Sequence, residues 1–268
     1  MSAETTAVTS ADGTPLAVQI VGEGHPLVIV GGAFSRGADG AEIAARAADR
    51  GFRVATFDRR SRGDSGDTAP YSPDREIDDL IAVIGALGSG SDTSETATVV
   101  GHSSGAILAL AAAAAGAPIS RLVLSEPPFL FENPFAADLP ERLQAFVDAG
   151  EPGDAVVTFQ REGVGLPDEM IEQIRQSPMF EALLPMAQST VYDATIALTF
   201  AVPTPEMLNV GVPAVIVRGE QTFPVLIAAA DRLATLMPQH RLVIEPRFLN
   251  HRADPEALAD LLAALRAE

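Results

Sequence analysis

The chain has 268 residues, enough for one large domain with a buried core and room for an insertion. Its 18 basic residues against 36 acidic ones leave a formal charge of −18, which repels a phosphate backbone and sets nucleic acid aside as a partner. Cysteine is absent, which excludes disulfides, thiolate metal sites and a cysteine nucleophile.

The amino terminus, MSAETTAVTS, has no basic leader followed by an apolar stretch. The longest apolar segment, around Ala106 to Ala115, is too short to cross a bilayer. Both features point to a soluble, cytoplasmic protein with no membrane partner. PLAVQIVG (15–22) and PLVIVGG (26–32) have the composition of strands, and Gly22-Glu23-Gly24 between them suits a hairpin connection. AEIAARAADRG (41–51) reads as a helix closed by glycine, and RVATFD (53–58) as a strand. In REIDDLIAVIGALG (75–88) the apolar residues Ile77, Leu80, Ile81, Ile84 and Leu87 follow helical spacing.

A strand ending at Val99-Val100 leads through Gly101-His102-Ser103-Ser104-Gly105 into a helix of alanine and leucine, and RLVLSE (121–126) follows as a further strand. The alternation stops from Pro127 to about Pro205, where helical patterns such as LPERLQAFVDAG and PDEMIEQIRQS run without a convincing strand. It resumes with VPAVIVRGE (212–220), a helix from about Pro224 to Leu236, RLVIEP (241–246) and the last helix, PEALADLLAALRAE. This order predicts an α/β fold with a mostly parallel sheet covered on both faces and a ligand site at the carboxyl ends of the strands. The predicted division is a core of 1–126 and 206–268 with a helical cap insertion at 127–205.

Gly101 to Gly105 fits G-x-S-x-G, in which small flanking residues let the chain turn sharply and lift a serine hydroxyl above the sheet edge. Ser103 is therefore a candidate nucleophile, and it needs a base to take its proton. Of the four histidines, His251 follows strand 241–246 and precedes the last helix, which puts it at the same sheet edge. His25 and His240 lie before their strands, at the opposite edge, and His102 on the tight turn points away from Ser103. The four histidines show no metal-ligand spacing, and no metal or cofactor is expected.

Taken in order, the strand ending VGGAFS, the loop FDRRSRGDSGD, the elbow GHSSG and the late histidine resemble the α/β-hydrolase fold superfamily over nearly the whole chain. The likeness is strongest to small bacterial members that read GHSSGA and, soon after, EPP. It implies a mostly parallel central sheet flanked by helices, an oxyanion hole made by the amides of Ala33 and Ser104, and His251 as base. The third triad member departs from the pattern. Where most relatives carry an aspartate after the strand matching 213–218, this chain has Thr222.

Some relatives place the acid where Glu126 stands, so Glu126 is the leading candidate, Glu220 the alternative acid and Asp193 a third. The arginines of DRRSRGDSGD read as braces of the sheet edge, with substrate binding as the lesser reading. Phe34, Phe129 and Met186 are expected to line the substrate pocket, with Phe131, Phe135, Met170, Met179, Phe180, Leu183 and Leu184 as further apolar candidates, only a minority of them touching substrate. The functional expectation is a cofactor-free serine hydrolase acting on a carboxylester, thioester or lactone of a small, partly apolar molecule. Its alternatives are a lyase, cyclase or carbon–carbon cleaving enzyme of the same fold, and an inactive ligand-binding member. A homodimer is left open.

Overall fold

The computed structural model describes residues 4–88, 96–131 and 135–268. In chain order the elements are β1 (Glu4–Thr9), β2 (Pro15–Val21), β3 (His25–Val30), α1 (Ala41–Ala48), β4 (Phe52–Phe57), α2 (Pro73–Leu87), β5 (Ala97–His102), α3 (Ser104–Ala114) and β6 (Ile119–Ser125). Six helices follow: α4 (Leu139–Asp148), α5 (Pro152–Thr158), α6 (Asp168–Arg175), α7 (Pro178–Leu183), α8 (Ala187–Thr199) and α9 (Pro205–Leu208). The chain closes with β7 (Ala214–Gln221), α10 (Pro224–Leu236), β8 (Arg241–Leu249) and α11 (Pro255–Ala267).

The strands form one eight-stranded sheet in the order β1-β2-β4-β3-β5-β6-β7-β8, antiparallel at β1-β2-β4 and parallel from β4 onward. Consecutive residues of a strand face opposite sides, and the central strands use both faces. Val28, Val99, Leu122 and Ile216 pack with α2, α3 and α10, whereas Leu27, Val100, Val123 and Val217 pack with α1 and α11. That is why these strands read as unbroken apolar runs, the pattern of a parallel sheet covered twice.

Two expectations are corrected. The segment 15–22 does not form a hairpin with 26–32, because β4 inserts between them and pairs antiparallel with β2 and parallel with β3. Their opposite directions are as a hairpin requires, but the neighbour is supplied by a later strand. An edge strand, β1, also exists where none is expected, since its polar sequence ETTAVT is mostly exposed and is held by its ladder to β2.

Between β6 and β7 the described residues contain helices and no strand. These helices have a core of their own, made by Leu139, Leu143, Val156, Phe159, Leu183, Met186 and Tyr192, against which Ala33 and Phe34 pack from the β3 loop. The helical segment thus touches the carboxyl edge of the sheet directly beside Ser103. No helix among the described residues is long and apolar enough to cross a membrane.

Candidate active site

β5 ends at His102 and α3 begins at Ser104, so Ser103 makes the whole turn between them, with φ 56° and ψ −127°. A non-glycine residue held there is strained by about 1–3 kcal/mol and persists only where its surroundings fix it. Here the Ser103 N–H donates to the Ser125 carbonyl at 2.9 Å. The turn also needs its glycines: a Cβ on Gly101 would lie 2.4 Å from the Gly105 carbonyl oxygen, and one on Gly105 would lie 2.4 Å from that of Val30. On the open side, a Cβ on Gly32 would come within 2.7 Å of the Ser103 Cβ. The elbow is closely packed, and Ser103 lines the cavity above it.

His251 stands in a tight turn after β8, where Arg252 N–H donates to Leu249 O at 3.0 Å and Leu249 N–H to Arg252 O at 3.2 Å. The Asp254 carboxylate caps α11 by accepting from Ala257 N–H at 2.8 Å, which ends the loop. The His251 Nδ1 lies 2.5 Å from Glu126 Oε2, and the other carboxylate oxygen, Oε1, accepts from Gly219 N–H at 2.9 Å. Glu126 is itself in the left-handed region at φ 49°, with its N–H donating to Val217 O. Burial alone would raise the Glu126 pKa, but the bonds from His251 and Gly219 outweigh it and hold the carboxyl below its ordinary value, with a contribution from Thr222. A carboxylate on Nδ1 leaves Nε2 turned to the cavity as the acceptor for a proton.

The structure therefore brings Glu126, not Glu220, to His251. Glu220 is exposed at the end of β7. Thr222 has its hydroxyl buried on the same side of the turn as Glu126. His102 packs against His251 with ring centroids 4.6 Å apart, and its Nδ1 lies 3.1 Å from Ser125 Oγ. Burial, reinforced by His251, pushes the His102 pKa down to about 3, so it stays neutral beside His251. At the opposite edge His25 lies 3.1 Å from Thr98 Oγ1, and His240 Nδ1 accepts from Ala214 N–H at 3.2 Å.

Asp193 is placed elsewhere. It points from α8 into a sealed cluster in which its Oδ1 accepts from Arg59 Nη1 at 3.0 Å and from Ser104 Oγ at 2.7 Å, and its Oδ2 accepts from Arg62 Nη2 at 2.7 Å. Arg59 also forms a two-bond pair with Glu76, and Arg60 does the same with Asp79. These three arginines are buried, so the DRRSRGDSGD loop braces the sheet edge and does not present them to a ligand.

A cavity of about 700 Å³ opens above the elbow. Its sheet side is lined by Gly32, Ala33, Phe34, His102, Ser103 and His251, and its helical side by Gln160, Val164, Leu166, Ile174, Met179 and Leu183. Of the three residues expected there, Phe34 lines it. Phe129 instead lies in the main core on the α3 side, and Met186 in the core of the helical segment. Met179 and Leu183 are the two further apolar candidates that reach the cavity. Gln160 gave no signal in the sequence. It sits on a turn of π-helix at Phe159–Gly163, is 3 % exposed, and its Oε1 is buried with no hydrogen-bond partner among the described residues. Such turns are irregularities that often occur at functional sites, but no sequence pattern announces one. No group of three or more His, Cys, Asp or Glu side chains able to hold a metal ion occurs among the described residues.

The model of the alpha/beta hydrolase family matches residues 27–265, which takes in most of β3 and every strand from β4 to β8. The chain belongs to the alpha/beta hydrolase family. An alpha/beta hydrolase from Sphaerobacter thermophilus has the same fold with a TM-score of 0.86 and 38% identity, covering 97% of this chain and 100% of that one. N-formylmaleamate deformylase of Pseudomonas putida is 36% identical over 147 residues, a stretch that spans about half of each chain, 52% in both cases. A thermophilic esterase from Thermogutta terrifontis shares the fold alone, with a TM-score of 0.71 at 20% identity over 98% of this chain and 97% of its own. Family and neighbours together support a hydrolase-type enzyme.

Proposed function

We propose that this alpha/beta hydrolase is a cofactor-free serine hydrolase that cleaves an ester-like bond of a small, partly apolar substrate, with Ser103, His251 and Glu126 as its triad. The observation that carries the reading is the Glu126 carboxylate on His251 Nδ1 at 2.5 Å, in a protein that lacks the usual aspartate. Ser103 and His251 line one cavity, which places the hydroxyl and the imidazole where one substrate meets both. In the reaction Ser103 Oγ attacks the carbonyl carbon while its proton passes to His251 Nε2. The tetrahedral oxyanion is held by the N–H groups of Ala33 and Ser104, the latter at the positive end of the α3 dipole. Collapse expels the leaving group, which takes the proton from His251. Water then repeats the sequence on the acyl-enzyme. Glu126 keeps the proton of the imidazole on Nδ1 and stabilises the imidazolium.

In this reading the helices of 127–205 act as a cap, and carboxylesters, thioesters and lactones are the substrates to try first. A second reading, hydrolysis of an N-acyl amide, is favoured by two observations. One is the likeness to N-formylmaleamate deformylase, and the other is the unpartnered Gln160 Oε1, an acceptor that suits a substrate N–H. The test is labelling of wild type and Ser103→Ala with a fluorophosphonate, followed by mass spectrometry and turnover of short p-nitrophenyl esters and N-formyl amides. Labelling confined to Ser103, with turnover reduced on the order of 10⁴-fold or more in Ser103→Ala, is expected. A folded wild type that does not label would overturn the serine mechanism. The better substrate class decides between the two readings.

A further inference from the structure

The two amides assigned to the oxyanion hole have no hydrogen-bond partner among the described residues. An N–H left open in this way has to be aimed by something else, and for both the trail leads to one carboxylate. The Gly32 carbonyl accepts from Arg62 Nη1 at 2.5 Å and, at the longer distance of 3.3 Å, from Ser35 N–H, while Arg62 Nη1 also donates to the Ser35 carbonyl at 3.3 Å. Because a trans peptide sets its C=O and N–H on opposite sides, pulling the Gly32 oxygen down to Arg62 turns the Ala33 N–H the other way. Ala33 lines the cavity whereas Arg62 is buried beneath it, so that other way is toward the reacting carbonyl.

Arg62 is held in turn by Asp193, through Nη2 at 2.7 Å. Among the described residues its Nε has no hydrogen-bond partner, so this contact and the two loop carbonyls are its hydrogen bonds there. The other oxygen of Asp193 accepts from Ser104 Oγ at 2.7 Å, which pins the residue whose N–H is the second donor. Arg59 completes the set by reaching Asp193 at 3.0 Å and the Gly31 carbonyl at 3.3 Å.

We infer that Asp193 is a positioning residue that fixes both oxyanion donors at once, Ala33 through Arg62 and the Gly32 peptide, and Ser104 through its hydroxyl. The inference rests on the serine hydrolase reading above. Asp193 belongs to α8, in the helical segment over the site, so a correctly seated cap is built into the geometry of the oxyanion hole. Its action is confined to the transition state, since the oxyanion forms only there.

The experiment compares Asp193→Asn, Ser104→Ala and Tyr192→Phe with wild type for kcat and KM on a p-nitrophenyl ester, and for affinity toward an alkyl boronic acid that adds to Ser103. Tyr192→Phe is the control: it removes the bond from the neighbouring α8 residue to Asp67 and leaves the loop carbonyls untouched. Asp193→Asn is expected to lower kcat about 10²-fold, the loss seen when an oxyanion donor is removed, with KM nearly unchanged and boronate affinity falling in step with kcat. Ser104→Ala, which disturbs one arm only and removes no charge, is expected to lose about tenfold in kcat in the same pattern. Tyr192→Phe should match wild type.

If Asp193→Asn does not fold, Ser104→Ala decides alone. Wild-type kcat in folded variants, or a loss confined to KM, overturns the inference while leaving the triad standing. A wild type that fails to label at Ser103 instead brings down the hydrolase reading and this inference with it.

Discussion

Two buried carboxylates lie close to the elbow, and their partners give them different work. Glu126 is 1 % exposed and faces a histidine whose side chain is 24 % exposed and lines the cavity. Asp193 is 2 % exposed and faces Arg59 and Arg62, at 2 % and 1 %. An imidazole is able to take up and release a proton, and Glu126 engages only its Nδ1, leaving Nε2 for another partner. A guanidinium cannot be deprotonated at any working pH, so a carboxylate bound to two of them is held in one state and can only set geometry. Burial therefore does not distinguish the two acids, whereas the chemistry and access of their partners do.

The sharpest way to break this contrast is Glu126→Gln. The amide is nearly isosteric, keeps an oxygen for Gly219 N–H, and cannot stabilise an imidazolium. Turnover is expected to fall on the order of 10³- to 10⁴-fold, with the melting temperature nearly unchanged, as measured by steady-state kinetics and calorimetry. A loss below tenfold would put the orienting group elsewhere.

Asp193→Asn should show the reverse weighting, with its largest effect on stability. It leaves Arg59 with Glu76 alone and takes from Arg62 the carboxylate it is paired with, and removing one member of a buried ion pair costs about 3–5 kcal/mol. At about 2–4 °C per kcal/mol for a chain of this size, the melting temperature should drop by on the order of 10 °C. The pH dependence follows from the sign of the shift. Burial works to raise the Asp193 pKa, but Arg62, Arg59 and Ser104 hold it below the ordinary 3.8. A depressed carboxyl contributes its full stability above its unfolded pKa and loses it as the pH falls through the folded one. The gap between wild type and Asp193→Asn should accordingly be constant at neutral pH and begin to close only below about pH 3.8. A gap that widened as the pH fell through 5 to 6 would mean that the native pKa is raised.

The parallel half of the fold was legible in the sequence because burial on both faces writes each strand as an apolar run with helical spacing between. The elbow was legible for a steric reason, since only small residues close that turn. The place of β4 between β2 and β3 was not legible, because pairing is decided by partners distant in the chain. Asp193 illustrates a further limit. In VYDA it is one acidic residue on a helix, and nothing local says that two arginines more than a hundred residues earlier are waiting for it. Phe129 and Met186 were expected in the pocket because apolar residues of a helical segment look alike whether they face a ligand or their own core. Gln160 was missed because its irregular turn leaves no mark in composition.

The smallest expected effect belongs to Glu220→Gln, and its smallness is informative. Glu220 ends β7, the strand that usually carries the acid, and stands two residues before Thr222. Successive strand side chains point to opposite faces, so position along the strand does not bring a side chain to the base. Gly219 gives its N–H to Glu126, and Glu220 beyond it is exposed. Exposed charges away from a site usually change stability by less than about 0.5 kcal/mol. Glu220→Gln should leave kcat/KM within about twofold of wild type, with an unchanged pH profile, because no contact to His251 is lost. A loss rivalling that of Glu126→Gln would show that the two glutamates exchange places on His251 during turnover, and the contrast between a working acid and a fixed one would then have to be drawn within β7 and β6 themselves.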